Sequence, residues 1–420
     1  MPERTVKMIA VGIDIGKNKH AAAVLDPVGA KLMRPAFYGN DHAGAEKLLA
    51  DIAGIAPPET TVIGMESTGS YWCPFRDFLA AAGYRVAVIN PIVTSASIAG
   101  DVRGRKTDKG DSVAIAMAVL RGARASGFPA DTGSRELKVL TRQRSFLVRQ
   151  SSDLKRRLKS TLAEVFPEFE TLFDDIFANL PAELLRRYPT AAALAKARRT
   201  AVERIVREKS RGKKADDEAR RLIAAAKASL AKNCAVAKAV GECVLSTLRC
   251  LDGLAAEIGK LESRISACPP PDFAEVFMGI KGAGKLLPKV VASEFGDVSR
   301  FVKDPETGRE SGMYRRMLAY AGMEPRIRES GKWKGTVHMS KRGSGALRTA
   351  LMLMSNTVQS HDPFFRAVYE KHKNKGKPHK VALSYVAEKL LQVACSRYRD
   401  GKHRPYTIEP PAKTEQCEKP

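Results

Sequence analysis

Long apolar runs and paired cysteines are both missing from this chain of 420 residues. No apolar stretch approaches the roughly 20 residues that a membrane-spanning helix needs, so the sequence predicts no membrane partner. The seven cysteines are scattered, none forms a CxxC pair, and no histidine cluster accompanies them, which argues against a zinc site. Such an odd, scattered set indicates reduced thiols. The first residues also do not resemble a signal peptide.

Acidic charge is scarce relative to basic charge. Lysine and arginine total 71 against 46 acidic residues, which gives a net charge of +25. This excess favours a polyanionic partner, because each cation near a phosphate releases condensed counterions. Nucleic acid is the first candidate. A membrane surface is less favoured because no anchoring segment supports it, and a chain that is simply basic is the remaining alternative.

The chain is long enough for two or three domains, and its pattern changes along its length. Short apolar runs alternate with a helical pattern in residues 1–130, which predicts a layered α/β domain. Residues 131–270 are predicted to form a helical, coiled-coil region with a variable insert. Residues 271–400 are predicted to form a mainly α domain, followed by a disordered tail at 401–420. The predicted strands of the first domain cover residues 8–13, 21–25, 60–65 and 85–89.

Two long helices are predicted in the middle region. Leucines seven residues apart mark an amphipathic helix over 135–165 with a strongly basic polar face. Apolar residues spaced 3-4-3-4 over 251–265 indicate about two heptads of a second helix. The pair resembles the arms of an antiparallel coiled coil or a dimerisation stalk, and an ordinary helical bundle is the alternative. The charge-dense stretch 206–220 is predicted to be an exposed connection.

Four carboxylates stand where two predicted strands end and one helix begins: Asp14, Glu66, Asp108 and Asp111. The three-residue spacing of the last two places them on one helical face. Hard oxygen donors of this kind suit Mg²⁺, with Mn²⁺ as the substitute, and two such ions can assist phosphodiester chemistry. Each residue alone also has a simpler interpretation: a turn residue, a solvated carboxylate or a helix N-cap. Asp101 is a reserve candidate for a ligand.

The C-terminal part carries a basic, glycine-containing segment. Gly282 and Gly284 precede a predicted helix, where backbone amides can approach a phosphate, although a plain tight turn is equally compatible. Ser330 is surrounded in sequence by cations that could hold a scissile phosphate, and from residue types alone a loop that only grips DNA is favoured. The nucleic-acid contacts predicted along the chain are Arg105, Lys106, Arg142, Arg149, Arg156, Arg157, Gly282, Gly284, Arg326, Arg328, Lys332, Lys341, Arg342 and Arg348.

Several of these segments together resemble one family. Residues 12–17, 65–69, 90–91 and 105–111 are similar to the RuvC-like DEDD domain of the IS-one-ten group of insertion-sequence transposases, which includes the Piv-type DNA invertases. The resemblance implies an RNase H-like fold and metal binding by the four carboxylates. The segment from 318 to 348 resembles the family's C-terminal domain, whose nucleophilic serine at a Ser-Gly step matches Ser330. One departure is Ser112, which stands where the family usually has alanine.

The resemblance implies a DNA transposase or recombinase that cuts and rejoins DNA at element ends and target. Metal-assisted attack by Ser330 on a phosphodiester would form a covalent link, and a structured non-coding RNA would guide the choice of site. The implied partners are double-stranded DNA, the guide RNA and further copies of the chain, as a dimer or tetramer. We expect a cytoplasmic, prokaryotic protein that associates with the nucleoid when active. The alternatives are a metal-dependent RuvC-like endonuclease without a covalent intermediate, and a non-enzymatic, architectural coiled-coil protein.

Overall fold

A computed structural model describes ten stretches of the chain, which divide into two compact units. The first unit is Met1–Arg135 with Gly296–Lys303, and the second is Glu136–Phe295 with Asp304–Pro420. The domain boundaries predicted above stay a prediction. Within the described stretches, no helix is long and apolar enough to cross a membrane. The described residues are 8–66, 69–89, 107–122, 125–127, 132–209, 215–302, 312–326, 329–330, 333–334 and 338–400.

The first unit is built around a mixed β-sheet. Its elements are β1 (Ile9–Asp14), β2 (Lys19–Leu25), β3 (Lys31–Gly39), α1 (His42–Ala53), β4 (Thr61–Glu66), α2 (Trp72–Ala81), β5 (Arg85–Ile89), α3 (Asp108–Leu120) and β6 (Ala125–Gly127). The four strands predicted from apolar runs are confirmed, and helices alternate with them as predicted. The sequence patterns missed β3 and α1, because β3 is largely exposed at the sheet edge and lacks the apolar run of a buried strand.

The strands lie in the order β3-β2-β1-β4-β5-β6. Strands β1, β2 and β3 form an antiparallel meander, whereas β1, β4 and β5 run parallel and require crossovers. Strand β6 pairs antiparallel with β5. The carboxyl ends of β1 and β4 therefore lie side by side at one edge of the sheet.

Helices cover both faces of the sheet. Alternate residues of β1 and β4, including Val11, Ile13, Ile63 and Met65, pack on one face with α1 and α2. Ala10 and Gly12 face the other way, toward α3. This period-two division explains why the parallel strands are apolar on both sides.

The second unit is mainly helical. Its first part contains α4 (Thr132–Val165, which belongs to this unit from Glu136 onward), α5 (Phe169–Leu172), α6 (Asn179–Arg187), α7 (Ala191–Ala195), α8 (Arg199–Lys209), α9 (Ala215–Ala228) and α10 (Ala237–Ala267). The predicted long helices are confirmed as α4 and α10. The prediction of an exposed connection at 206–220 is wrong at both ends, because α8 continues to Lys209 and α9 begins at Ala215. The buried faces of these helices, with Val206 and Ala219, hold them in a core.

Helices α4 and α10 run antiparallel, since residues near the start of one contact residues near the end of the other. Leu137 and Leu140 pack with Ile265 in a small core at this end. At the opposite end, both helices join the core formed by the short helices α5 to α9. Leu254 and Ile258, in the middle of the heptad pattern, are only half-buried. A coiled coil stays a prediction.

The C-terminal part of the second unit is helical with four two-residue strands, and its described elements confirm the mainly α prediction. Phe273, Phe277 and Phe295 form an edge-to-face aromatic cluster in its core. The elements are α11 (Asp272–Glu275), α12 (Leu286–Phe295), α13 (Met313–Ala321), β7 (Pro325–Arg326), β8 (Glu329–Ser330), β9 (Trp333–Lys334), β10 (His338–Met339), α14 (Gly345–His361), α15 (Pro363–Lys373) and α16 (His379–Asp400).

Candidate functional site

Two of the predicted carboxylates terminate neighbouring parallel strands. Asp14 is the last residue of β1 and Glu66 is the last residue of β4. The strands are paired with Ile13 opposite Met65, so each carboxylate follows the last shared pair by one residue. Both side chains are half-buried. The parallel register therefore brings Asp14 and Glu66 to one edge of the sheet.

Both carboxylates belong to the sheet face that α3 covers. Residues two apart in a strand point to the same face, so Asp14 shares the face of Gly12, and Glu66 shares the face of Gly64. Both glycines lie under α3. A Cβ added to Gly12 would lie 2.0 Å from the carbonyl oxygen of Ser112. The absence of a side chain at Gly12 allows the helix backbone to rest directly on the strand.

Helix α3 runs antiparallel to β1, which places its first turn at the acidic edge. Residues late in the helix, such as Leu120, pack near Ala10 at the start of the strand, and Ser112 lies over Gly12 further along it. Asp108 and Asp111, in the first turn, therefore lie toward the carboxyl end of the strand. Three elements that are distant in sequence thus deliver all four predicted carboxylates to the same side of one sheet. We call this group the acidic edge.

The N-cap of α3 is a neighbouring residue and not Asp108. The Thr107 hydroxyl accepts a hydrogen bond from the backbone amide of Gly110 at 3.1 Å. The interpretation of Asp108 as an N-cap is therefore wrong. Asp108 is exposed and Asp111 is half-buried, and negative charge in the first turn is favourable to the helix dipole.

A buried histidine, not identified by the sequence analysis, shapes the turn that follows Asp14. His20 is fully buried, its Nδ1 accepts from the Gly16 amide at 3.3 Å, and its Nε2 lies 3.1 Å from the Asn40 side-chain oxygen. This arrangement requires the neutral tautomer with hydrogen on Nε2. Burial lowers the pKa of His20, partly offset by the bond to Asn40. A histidine next to a Gly-Lys-Asn-Lys turn is the only sequence signal of this role.

The carboxylates share an edge without closing around one point. Among the described residues, no three acidic, histidine or cysteine side chains come close enough together to hold a metal ion. The donor set is nonetheless the kind that a hard divalent cation takes, since all four groups are carboxylates. Asp101, Arg105 and Lys106 lie outside the described residues.

The predicted phosphate contacts on α4 differ in their surroundings. Arg149 and Arg157 are exposed on the basic face, and Arg156 is also exposed but pairs with Asp153 on the same helix. Arg142 instead forms a bidentate ion pair with Glu294 of α12, at 2.6 and 3.0 Å. The guanidinium group of Arg142 is thus paired with a carboxylate of the second unit.

Glu294 is an almost fully buried carboxylate that joins three elements of the second unit. Besides Arg142, it accepts a hydrogen bond from Ser344 at 2.8 Å, and Lys138 lies 3.8 Å away. Burial alone would raise the pKa of Glu294, but the bond from Arg142 and the charges of Lys138 and Arg142 hold that pKa below its ordinary value. Ser344 also caps α14.

Ser330 lies on β8, which pairs antiparallel with β9 so that Ser330 faces Trp333. Only the backbone of Ser330 and Arg326 is described, and Arg328 and Lys332 lie outside the described residues. Lys341 and Arg342 are exposed. The Arg348 guanidinium donates to the carbonyls of Ala321 and Gly343 at 3.0 and 3.1 Å, so it braces the backbone beside them.

The two glycines before α12 have different surroundings. Gly282 has a φ of +87°, and a Cβ there would lie 2.6 Å from the carbonyl oxygen of Thr357, so this position requires glycine for close packing. Gly284 also has a positive φ but is surrounded by open space. Its backbone is the more accessible of the two.

Two family models match separate parts of the chain. Residues 11–167 match the model of the DEDD transposases of the IS110 type, described as a transposase. Residues 274–370 match the model of the transposase IS116/IS110/IS902 family. The first match spans the acidic edge and the whole of α4, and the second spans the segment that contains Ser330.

Proteins of three insertion elements resemble the chain over nearly its whole length. An uncharacterized 44.8 kDa protein of insertion element IS116 from Streptomyces clavuligerus is 29% identical and covers 96% of this chain and 97% of its own length. The uncharacterized 42 kDa protein of IS900 from Mycobacterium paratuberculosis is 27% identical, with coverage of 93% and 95%. The uncharacterized 43.6 kDa protein of IS110 from Streptomyces coelicolor is 26% identical, with 94% of both chains covered.

These matches imply DNA as a substrate and, through the DEDD domain, dependence on a divalent metal. The chain belongs to the IS110 family of insertion-element transposases and is a DNA transposase or recombinase.

Proposed function

We propose that this transposase cuts and rejoins DNA at element ends and target through a covalent link to Ser330, assisted by Mg²⁺ at the acidic edge. The observation that supports the metal part is the convergence of Asp14, Glu66 and the first turn of α3 at one side of the sheet. The strand order and the mixed pairing are those expected of an RNase H-like domain, which we include in the proposal. Ser330 rests on the family resemblance around the Ser-Gly step.

The proposed metal ligands are Asp14, Glu66, Asp108 and Asp111. Four like charges at one edge repel each other, and a cation is the partner that would draw them together. When bound, Mg²⁺, or Mn²⁺ in its place, would stabilise charge on the phosphate oxygens during strand transfer. His20 would hold the β1–β2 turn so that Asp14 keeps its place at the edge.

In the proposed step, the Ser330 hydroxyl oxygen attacks a DNA phosphorus. A serine–phosphate ester bond forms, the bond from phosphorus to the departing sugar oxygen breaks, and the serine proton is passed to a base and finally to that oxygen. Religation reverses the exchange with another strand, so no external energy is needed. Exposed cations such as Lys341 and Arg342 would position the backbone.

We further propose that a structured non-coding RNA selects the sites and that the chain works as a dimer or tetramer, with the acidic edge and Ser330 acting together across subunits. The net charge of +25 suits both RNA and DNA backbones. The exposed basic face of α4, with Arg149 and Arg157, is the surface we assign to this binding.

The deciding experiment is a search for a denaturant-resistant protein–DNA adduct. Purified protein would be incubated with Mg²⁺, the RNA transcribed from the flanking sequence and labelled element-end DNA. We expect an adduct with the wild type and none with Ser330→Ala or Asp14→Ala. Ser340→Ala serves as the matched control, because this serine lies nearby in the sequence and is not followed by glycine, and it should retain the adduct.

The runner-up function is a metal-dependent endonuclease without a covalent intermediate. The acidic edge alone favours this function, because metal-dependent cleavage of DNA at that edge would require no serine nucleophile. Cleaved DNA that persists in Ser330→Ala, with no adduct in any variant, would establish it and overturn the nucleophile assignment. Metal binding is tested separately by Mn²⁺ paramagnetic resonance of the free protein. Binding that is lost in Asp14→Asn and Glu66→Gln supports the ligand assignment whatever the chemistry.

A further inference from the structure

A concentrated group of lysines lies where α15 and α16 meet, and neither family match includes it. The segment 371–380 holds Lys371, Lys373, Lys375, Lys377 and Lys380 and no acidic residue. All five lysines are exposed. The match to the second family model ends at residue 370. We call these five residues the lysine tip.

Side-chain contacts link the two helices that carry the lysine tip. The Tyr369 hydroxyl lies 2.7 Å from Nδ1 of His379, which joins the end of α15 to the start of α16. His372 stacks on Tyr385, with ring centroids 3.7 Å apart and planes at 4°. Between the helices, the Gly376 amide donates to the carbonyl of Lys373 at 2.9 Å, and Gly376 has a φ of +73°. The cations are therefore displayed on an ordered turn.

The positive charges of the lysine tip act on their surroundings. Burial lowers the pKa of His372, and the charges of Lys375, Lys371 and Lys377 lower it further. Lysines and arginines of many other helices form ion pairs, whereas none of these five lysines pairs with a carboxylate of the described residues. A strong positive potential at the turn is thus left for a partner to neutralise.

The identity of the cations indicates what that partner is. All five are lysines, which are flexible point charges, and the segment contains no arginine, the residue that recognises guanine edges through a bidentate fork. This composition suits contact with backbone phosphates and not the reading of bases.

We propose that the lysine tip is a further nucleic-acid binding site of this transposase, which grips the phosphodiester backbone irrespective of sequence. The inference rests on nucleic-acid binding by the enzyme and not on the serine chemistry proposed above. Duplex DNA and folded RNA share the backbone that the tip would contact, and the experiment separates them.

The test compares two full-length variants of equal net charge. In the tip variant, Lys373, Lys375, Lys377 and Lys380 are all changed to serine. In the control variant, Lys209, Lys227, Lys232 and Lys238 are changed to serine, and these four are also exposed on helices. Fluorescence anisotropy would follow binding to a duplex DNA and to an RNA hairpin of matched length over a series of KCl concentrations. Thermal melting confirms that both variants fold, and a third variant with the tip lysines changed to arginine keeps the charge.

We expect the tip variant to bind about tenfold more weakly than the control at about 100 mM salt. The slope of its plot of log affinity against log salt concentration should be smaller in magnitude by about 2 to 4, since each phosphate contact contributes about 0.9 to that slope. If the tip variant binds only the DNA more weakly, or only the RNA more weakly, the proposal is supported and the nucleic acid that the tip contacts is identified. The arginine variant should bind as the wild type does. Equal binding by the tip and control variants to both probes would overturn the site, whether or not the Ser330 adduct forms.

Discussion

Glu294 shows how a single buried charge can organise a helical unit. Its carboxylate, 1% exposed, receives a bidentate bond from Arg142 of α4 and a hydroxyl bond from Ser344 at the start of α14. One side chain of α12 thereby ties together three helices. A buried carboxylate is tolerated only when its oxygens are satisfied in this way.

Neutralising Glu294 should destabilise the protein more than neutralising an exposed carboxylate. We expect Glu294→Gln to lower the free energy of unfolding by about 2 to 4 kcal/mol, because Arg142 loses its charged partner. Glu262→Gln, which removes the half-exposed pair with Arg144, should cost less than about 1 kcal/mol. Urea denaturation measures both, and equal losses would contradict the role assigned to Glu294.

The same carboxylate predicts a dependence of stability on pH. The pKa of Glu294 is lower in the folded protein than its ordinary value of 4.5, so the unfolded chain takes up the proton first. The stability that the ionised Glu294 carboxylate contributes is therefore fully present above about pH 4.5. This stability is lost as the pH falls through the pKa of Glu294 in the folded protein. Denaturant midpoints measured from about pH 7 down to about pH 3 should show the wild type and Glu294→Gln converging on acidification. A constant difference between them would argue against the predicted pKa shift.

At the scale of the elements, the packing of α3 on β1 and β4 is the contact that assembles the acidic edge. Gly12 lies opposite Gly64 in the parallel register, and both lie under the helix. An added Cβ at Gly12 would meet backbone atoms of Ser112 and Ala116, at 2.0 and 2.4 Å. Backbone cannot move aside as a side chain can, so the helix would be displaced.

Substitution of Gly12 should therefore disturb both stability and metal binding. We expect Gly12→Ala to destabilise the protein by about 2 to 3 kcal/mol and to weaken Mn²⁺ binding, because the turn with Asp108 and Asp111 moves away from the strand ends. Gly253→Ala is the matched control on α10, where a Cβ meets nothing within 4 Å, and it should stabilise by about 0.5 to 1 kcal/mol. Urea denaturation and Mn²⁺ resonance check both changes. Unchanged metal binding in Gly12→Ala would contradict this placement of α3.

At the scale of the whole molecule, binding of nucleic acid through net charge can be measured separately from the covalent reaction at Ser330. A net charge of +25 predicts binding to any nucleic-acid backbone and steep weakening with salt, with a slope near −0.9 for each phosphate neutralised in duplex DNA. Ser330→Ala changes no charge, so it should bind duplex DNA with the affinity and salt slope of the wild type while forming no adduct. Anisotropy titrations over several KCl concentrations provide the comparison. A loss of binding in Ser330→Ala would indicate that this segment only grips DNA.

The sequence predicted some structural features and missed others, depending on whether a local pattern marks them. The apolar runs of β1 and β4 and the leucine spacing of α4 are local patterns, and the structure confirms those elements. Strand β3 was missed because its edge position leaves it largely exposed, and the helical ends around 210 were missed because dense charge also occurs on helix surfaces. The assignment of Asp108 as a possible N-cap failed because the neighbouring Thr107 takes that place.

The sequence by itself determined the class of partner, the order of the main elements and the family, because net charge, periodicity and motifs depend on composition and near neighbours. Only the tertiary structure decided that Asp14, Glu66 and the first turn of α3 lie on one face of the sheet. It also decided that His20 holds the adjoining turn and that Arg142 pairs with Glu294. Arg142 and Glu294 are 152 residues apart. Contacts at such separation arise from the packing of whole elements, which no local pattern contains.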